Sequence, residues 1–168
     1  HNGEEELCLK THCFLKEKYK NILTIIAPRH IERSEEIKNL CEKYKLNSQI
    51  LNSDELIKTN VEIVIINSFG VLQNYFKYAK SVFIGKSTIK NLEEVGGQNP
   101  LEAVKLNCKI YHGWYVYNFK DIYEILKKNN ISFIVNDHNE LNNYLRKDFE
   151  SHNKKDDKIA EIIKELGD

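Results

Sequence analysis

Apolar residues recur along the chain in two alternating rhythms. Between Glu4 and Tyr19, the positions Leu7, Thr11, Phe14, Leu15 and Tyr19 follow helical spacing. The β-rich run Ile22–Ala27 comes next and is stopped by Pro28. Glu32 to Tyr44 returns to the helical rhythm, with Ile37, Leu40, Cys41 and Tyr44 on one face, and Ser48 to Leu51 predicts a short strand. Val61-Glu-Ile-Val-Ile-Ile66 is apolar on both faces, the pattern of a strand buried in a parallel sheet. Gly70 then opens a helix carrying Val71, Leu72, Tyr75, Phe76 and Ala79. Ser81–Ile84 reads as a strand ending at Gly85, and a loop with Gly96-Gly97 leads to a short helix near Asn99-Pro100. Lys109–Tyr111 is a brief strand. Asn118 is expected to cap a helix with Phe119, Ile122, Tyr123 and Leu126 inward and Asp121 at the capping-box position. Ile131–Val135 is the last strand, followed by two charged helices, about Glu140–Phe149 and Asp156–Leu166. Strand–helix alternation with buried strands predicts an α/β fold: one doubly wound, mostly parallel sheet with helices on both faces, residues 1–168 forming a single domain. Ligands of such sheets bind in the crevice outside the strands' carboxyl ends.

Composition narrows what that ligand is. The 168 residues carry 25 Lys+Arg against 25 Asp+Glu, so no basic excess points to nucleic acid. No apolar run approaches the roughly 18 residues of a membrane span. Cys8, Cys13, Cys41 and Cys108 form no C-x-x-C pair and have no histidine at metal-ligand spacing, so reduced, unliganded thiols are expected. The six histidines are scattered; no metal and no cofactor are predicted. No G-x-G-x-x-G follows the first strand, and G-x-x-x-x-G-K-[ST], G-x-S-x-G and H-E-x-x-H are all missing. The chain has no methionine and begins at His1, from which we expect an excised piece of a longer protein.

Four loops after strands hold the candidate chemistry. In Ala27-Pro28-Arg29-His30-Ile31-Glu32-Arg33, Arg29 falls at a carboxyl edge, where a guanidinium suits a phosphate; a solvated surface arginine is the plainer alternative. In Asn67-Ser68-Phe69-Gly70, glycine lets the backbone approach a ligand, while Ser68 as a simple helix cap explains the same residues. Gly96-Gly97-Gln98-Asn99-Pro100-Leu101-Glu102 combines a helix start, with Asn99 as N-cap, Pro100 first and Glu102 third, with a double glycine able to present N–H groups to an anion. Glu102 is also placed to accept from sugar hydroxyls. The aromatic segment His112-Gly-Trp-Tyr-Val-Tyr-Asn118-Phe119 can wall a base or sugar, or simply cover the core.

Taken in order, these segments resemble the C-terminal half of bacterial Kdo (3-deoxy-D-manno-octulosonic acid) transferases. The resemblance is carried by His1-Asn-Gly-Glu-Glu-Glu6, Ala27-Pro-Arg-His-Ile-Glu-Arg33, Phe83-Ile-Gly85, Gly96-Gly-Gln-Asn-Pro-Leu-Glu102, His112-Gly113 and Asn118-Phe119. It implies a Rossmann-like C-terminal half of a two-domain GT-B glycosyltransferase. Such enzymes are inverting and move Kdo from CMP-Kdo to a lipid A precursor in lipopolysaccharide biosynthesis, at the cytoplasmic face of the inner membrane. The resemblance puts donor binding on Pro28, Arg29, Phe69, Gly70, Val71, Asn99, Pro100, Leu101 and Glu102, with Gly96, Gly97 and Ser87 as further loop contacts. It assigns no catalytic residue to this chain, because the family's base lies in an N-terminal domain. Acceptor binding and membrane contact are expected from that absent half, and the chain alone is expected to be inactive. A donor domain for another nucleotide sugar, or a non-catalytic α/β binding module, remains open at this point.

Overall fold

The computed structural model describes residues 1–151 together with 162 and 163. It divides into two compact units, His1–Leu72 and Gln73–Asp168.

In the first unit, helix α1 (Glu4–Lys18) precedes strand β1 (Thr24–Ile26), helix α2 (Ser34–Lys43), strand β2 (Ser48–Leu51) and strand β3 (Ile63–Ile66). The strands are parallel in the order β1-β3-β2, with Ile26 opposite Ile65 and Leu51 opposite Ile66. All four residues of the central strand are buried, as its unbroken apolar run predicts. Leu9, Ile37, Cys41, Leu46, Ile63 and Ile65 form the core.

The buried stripe of α1 is rotated from the predicted one. Glu4, Glu5, Leu9, Thr11, His12 and Leu15 are buried, whereas Phe14 is exposed. Polar partners draw this face inward: Glu5 accepts from Arg33 Nη1 at 2.7 Å, and His12 Nδ1 lies 2.8 Å from Thr24 Oγ1. Hydrophobic periodicity is blind to such pairs, because it scores both residues as solvent-seeking.

In the second unit, the short helix α3 (Leu72–Phe76) leads to strand β4 (Ser81–Ile84). Helix α4 (Leu101–Lys105), strand β5 (Lys109–His112), helix α5 (Lys120–Lys128), strand β6 (Ser132–Ile134) and helix α6 (His138–Glu150) follow. These strands are also parallel, in the order β4-β5-β6. The α/β class with parallel strands stands, and the hydrogen bonding organises the strands as two sheets of three. Val104, Cys108, Ile110, Tyr123, Leu126 and Ile162 are among the core residues. Beside them Tyr111, Phe133 and Tyr144 form an aromatic trio with centroids 5.2–5.7 Å apart.

Two helix starts differ from expectation. Asn118 does not cap α5; its Nδ2 donates to the Val95 carbonyl at 2.8 Å, and a 3₁₀ turn over Tyr117–Phe119 intervenes. Asp121 therefore sits in the first turn without a capping box. The working box is at α6, where Asp137 accepts from the Glu140 N–H at 2.9 Å and Glu140 accepts from the Asn136 N–H at 2.9 Å. The D-x-x-E spacing of 137–140 carries that signal in the sequence. Of the expected final helix 156–166, only 162 and 163 are described, and both are helical.

Candidate functional site

Pairing β1 to β3 in parallel brings the Pro28-Arg29 and Phe69-Gly70-Val71 loops to the same carboxyl edge of the first sheet. The strands end side by side because each is stopped by a local signal, Pro28 after β1 and the Gly70 turn after β3. Gly70 adopts φ +74°, and open space surrounds the position where a Cβ would stand. Phe69 projects into solvent, 72% exposed, while Val71 is half-buried. Arg29 is exposed and, among the described residues, has no hydrogen-bond or ion-pair partner. Its neighbour Arg33 is committed elsewhere: Nη1 donates to Glu5 at 2.7 Å and Nε to Glu36 at 3.2 Å. Hydrogen bonding to Glu36 and Glu5 holds that guanidinium still more firmly in its charged form, and the same contact lowers the Glu36 carboxyl below its usual range. One loop thus supplies one structural arginine and one available cation.

The floor of this edge is polar and braced. Asn67 Nδ2 donates to Asn52 Oδ1 at 2.7 Å, tying the loop after β3 to the loop after β2. Ser34 Oγ donates to the Ile31 carbonyl at 2.7 Å, fixing the entry to α2. These bonds pre-order the loops, so a ligand bound there meets a surface with little entropy left to lose.

In the second unit, the remaining predicted residues lie on the segment between β4 and β5, with Leu101 and Glu102 in the first turn of α4. Gly96 and Gly97 are buried rather than displayed. The Gly97 N–H donates to the Lys86 carbonyl at 2.6 Å. A Cβ on Gly97 would stand 2.8 Å from Val116 Cα, and one on Gly96 would collide with the Tyr115 carbonyl oxygen. The expectation that this pair offers N–H groups to an anion therefore meets a packing role: the glycines let two loop backbones touch. Ser87 is likewise enclosed. Its hydroxyl donates to the Ile84 carbonyl at 2.7 Å and accepts from the Gly113 N–H at 2.8 Å.

Asn99 and Glu102 remain on the surface. Helix α4 starts one residue later than expected, with Pro100 and not Asn99 at the N-cap and no side-chain cap. Asn99 Oδ1 accepts from the Leu101 N–H at 3.0 Å as a local turn around buried Pro100. Glu102 makes no side-chain hydrogen bond or ion pair among the described residues, so the expected reach back to the cap is absent. Its carboxylate is uncommitted, whereas Leu101 is half-buried against the unit.

At the end of β5, buried His112 presents Nδ1 to the Gly113 carbonyl at 2.7 Å. A carbonyl only accepts, so the proton sits on Nδ1, and Nε2 has no hydrogen-bond partner among the described residues. Burial lowers the imidazole's proton affinity, opposed by that hydrogen bond. Its ring packs on Tyr123 with centroids 4.4 Å apart. The four cysteines are unpaired. No cluster of potential metal ligands occurs among the described residues.

Fold and site residues together define a class: a parallel α/β protein in which each unit carries an uncommitted polar side chain on the segment that follows a strand. The same fold is seen in the C-terminal CMP-Kdo binding domain of WaaA from Acinetobacter baumannii, with a TM-score of 0.83 at 23% identity, covering 100% of this chain and 86% of that one. No protein-family model matches the chain. Individual relatives do. The 3-deoxy-D-manno-octulosonic acid transferase of Haemophilus influenzae is 33% identical over 126 residues, 75% of this chain and 29% of that protein. That of Aquifex aeolicus is 25% identical over 141 residues, 84% of this chain and 37% of that protein. The chain belongs to the 3-deoxy-D-manno-octulosonic acid transferase family, and it spans only 29–37% of the length of these two relatives.

Proposed function

We propose that this chain is the donor-binding part of a Kdo transferase, an inverting glycosyltransferase that moves Kdo from CMP-Kdo to a lipid A precursor. The observation that carries the reading is selective availability. Of the charged and polar residues on the predicted loops, Arg33, Ser87 and Gly97 are spent on internal bonds, while Arg29 and Glu102 are exposed and uncommitted. Each unit therefore offers one group of a kind that nucleotides use: in the first a fork-shaped cation suited to phosphate, in the second a carboxylate suited to ribose hydroxyls. The Gly70 turn supplies backbone without a side chain in the way, and Asn99 keeps its Nδ2 donors while its oxygen accepts from the Leu101 N–H.

Pro28, Phe69, Val71, Pro100 and Leu101 shape these loops, and Gly96, Gly97 and Ser87 act by holding them. No cofactor or metal takes part in this reading; CMP-Kdo is the substrate. Catalysis is assigned to a base outside this chain, so the chain alone is expected to bind donor and transfer nothing. No helix among the described residues is long and apolar enough to cross a membrane. In this reading, work at the cytoplasmic face of the inner membrane belongs to the N-terminal part that meets the lipid acceptor.

Titration of the labelled chain with CMP, UDP, GDP and NAD, followed by amide shifts, tests the reading. CMP is expected to perturb Arg29, Gly70 and Asn99. A response to UDP in preference to CMP, or to none of the four, refutes it.

A further inference from the structure

We propose that Trp114 is a stacking platform for the sugar ring of the donor, the Kdo ring of CMP-Kdo. This deepens the donor-binding reading above and rests on it.

Trp114 follows β5 directly after the buried His112-Gly113 pair, so it stands at the carboxyl edge of the second sheet. The side chain is 62% exposed. An exposed indole on a loop ordinarily samples several rotamers, yet this one is tethered: Nε1 donates to Asn136 Oδ1 at 2.6 Å. Asn136 is itself clamped, its backbone N–H and its Nδ2 donating to Glu140 at 2.9 and 3.0 Å. Glu140 belongs to the capping box that starts α6. The indole edge is thus fixed to a helix terminus while its ring faces solvent. A solitary aromatic carried for packing needs no such anchor.

Two features point to a sugar as the occupant. The indole N–H is consumed, which leaves the ring face as its means of recognition and suits the C–H face of a pyranose. The backbone around Trp114 is also stitched to the segment that presents Asn99 and Glu102. Tyr115 N–H donates to the Ser87 carbonyl at 2.8 Å, and Asn118 N–H to the Gly96 carbonyl at 3.1 Å. Gly113 and Gly97 allow the close approaches on either side. The loop that carries the platform and the segment that carries Asn99 and Glu102 are thus joined by backbone hydrogen bonds, the fixed spacing that a site binding the two halves of one ligand requires.

Trp114 is the single tryptophan, so its emission reports this position alone. The test compares CMP, CMP-Kdo and free Kdo on the wild-type chain and on Trp114→Ala and Trp114→Phe, with calorimetric affinities alongside the fluorescence. CMP-Kdo is expected to shift the wild-type emission and CMP to leave it nearly unchanged. Trp114→Ala is expected to lose about tenfold in CMP-Kdo affinity, with Trp114→Phe intermediate and CMP affinity equal in all three. Unchanged CMP-Kdo affinity in Trp114→Ala overturns the platform alone. So does an emission change with CMP as large as with CMP-Kdo, which would mark base stacking. A wild-type chain that binds neither CMP nor CMP-Kdo refutes the donor reading, and the platform falls with it.

Discussion

Replacing Asp148 by alanine removes a buried carboxylate that gathers three side-chain donors. Asp148 lies on α6 and is buried, where it accepts from Tyr111 Oη at 2.6 Å, Ser81 Oγ at 2.7 Å and Lys109 Nζ at 2.7 Å. The three donors sit on β4 and β5, so one side chain fastens α6 to two strands. Their losses are unequal. The Tyr111 hydroxyl is enclosed and finds no water in place of the carboxylate, which costs about 1.5–3 kcal/mol. Ser81 is half-buried and loses about 1 kcal/mol. The Lys109 side chain is 40% exposed and returns to solvent, so its pair contributes at most about 1 kcal/mol. Asp148→Ala is therefore expected to destabilise the chain by about 3–5 kcal/mol, a large share of the roughly 5–15 kcal/mol typical of a folded domain. Tyr111→Phe leaves the carboxylate two donors and is expected to cost about 1–2 kcal/mol. Urea unfolding followed by far-UV circular dichroism measures both. A loss below about 1 kcal/mol for Asp148→Ala would mean that the network adds nothing beyond what water supplies, and the argument would fail.

Arg29→Ala and Glu102→Gln are expected to leave the melting temperature within about a degree, since neither side chain has a partner among the described residues, while each lowers CMP affinity about tenfold. Calorimetric titration checks this, and lost stability with unchanged CMP binding would make both residues structural. Gly97→Ala is expected to cost about 2–4 kcal/mol, because φ is +88° and the new methyl would stand 2.8 Å from Val116 Cα. Wild-type stability there would show that the loop yields. Acid is expected to weaken the fold through His12 and His112, whose proton affinities burial lowers from the ordinary value near 6.5. The unfolded chain then binds protons that the folded one refuses, so this stability is full above about pH 6.5 and is lost as the pH falls through the folded-state values. Urea midpoints at pH 7.5 and 5.5 should differ in that sense, and His112→Gln should reduce the difference.

The run Val61–Ile66, the proline and glycine stops, and the helical spacing of Ile37, Leu40 and Cys41 were enough to specify parallel strands alternating with helices. Each of these signals is local: burial on both faces, a missing N–H, or a period of 3.6 can be read from neighbours in the chain. The family resemblance was legible for the same reason, since Pro28-Arg29 and Asn99-Pro100-Leu101-Glu102 are short contiguous motifs. What tertiary structure alone decided is which of those residues are still free to act. Arg29 and Arg33 are four positions apart and chemically alike; Glu36, one turn on, and Glu5, brought in on α1, together commit Arg33. Gly96-Gly97 read as an anion cradle until Tyr115 and Val116 closed over it. Asn118 had a cap's sequence context but found the Val95 carbonyl. Asp148 gathers donors from residues 81, 109 and 111, and the indole of Trp114 is oriented by Asn136. A side chain's hydrogen-bonding capacity is written in its identity, but its partner is set by which distant segments the fold brings within about 3 Å.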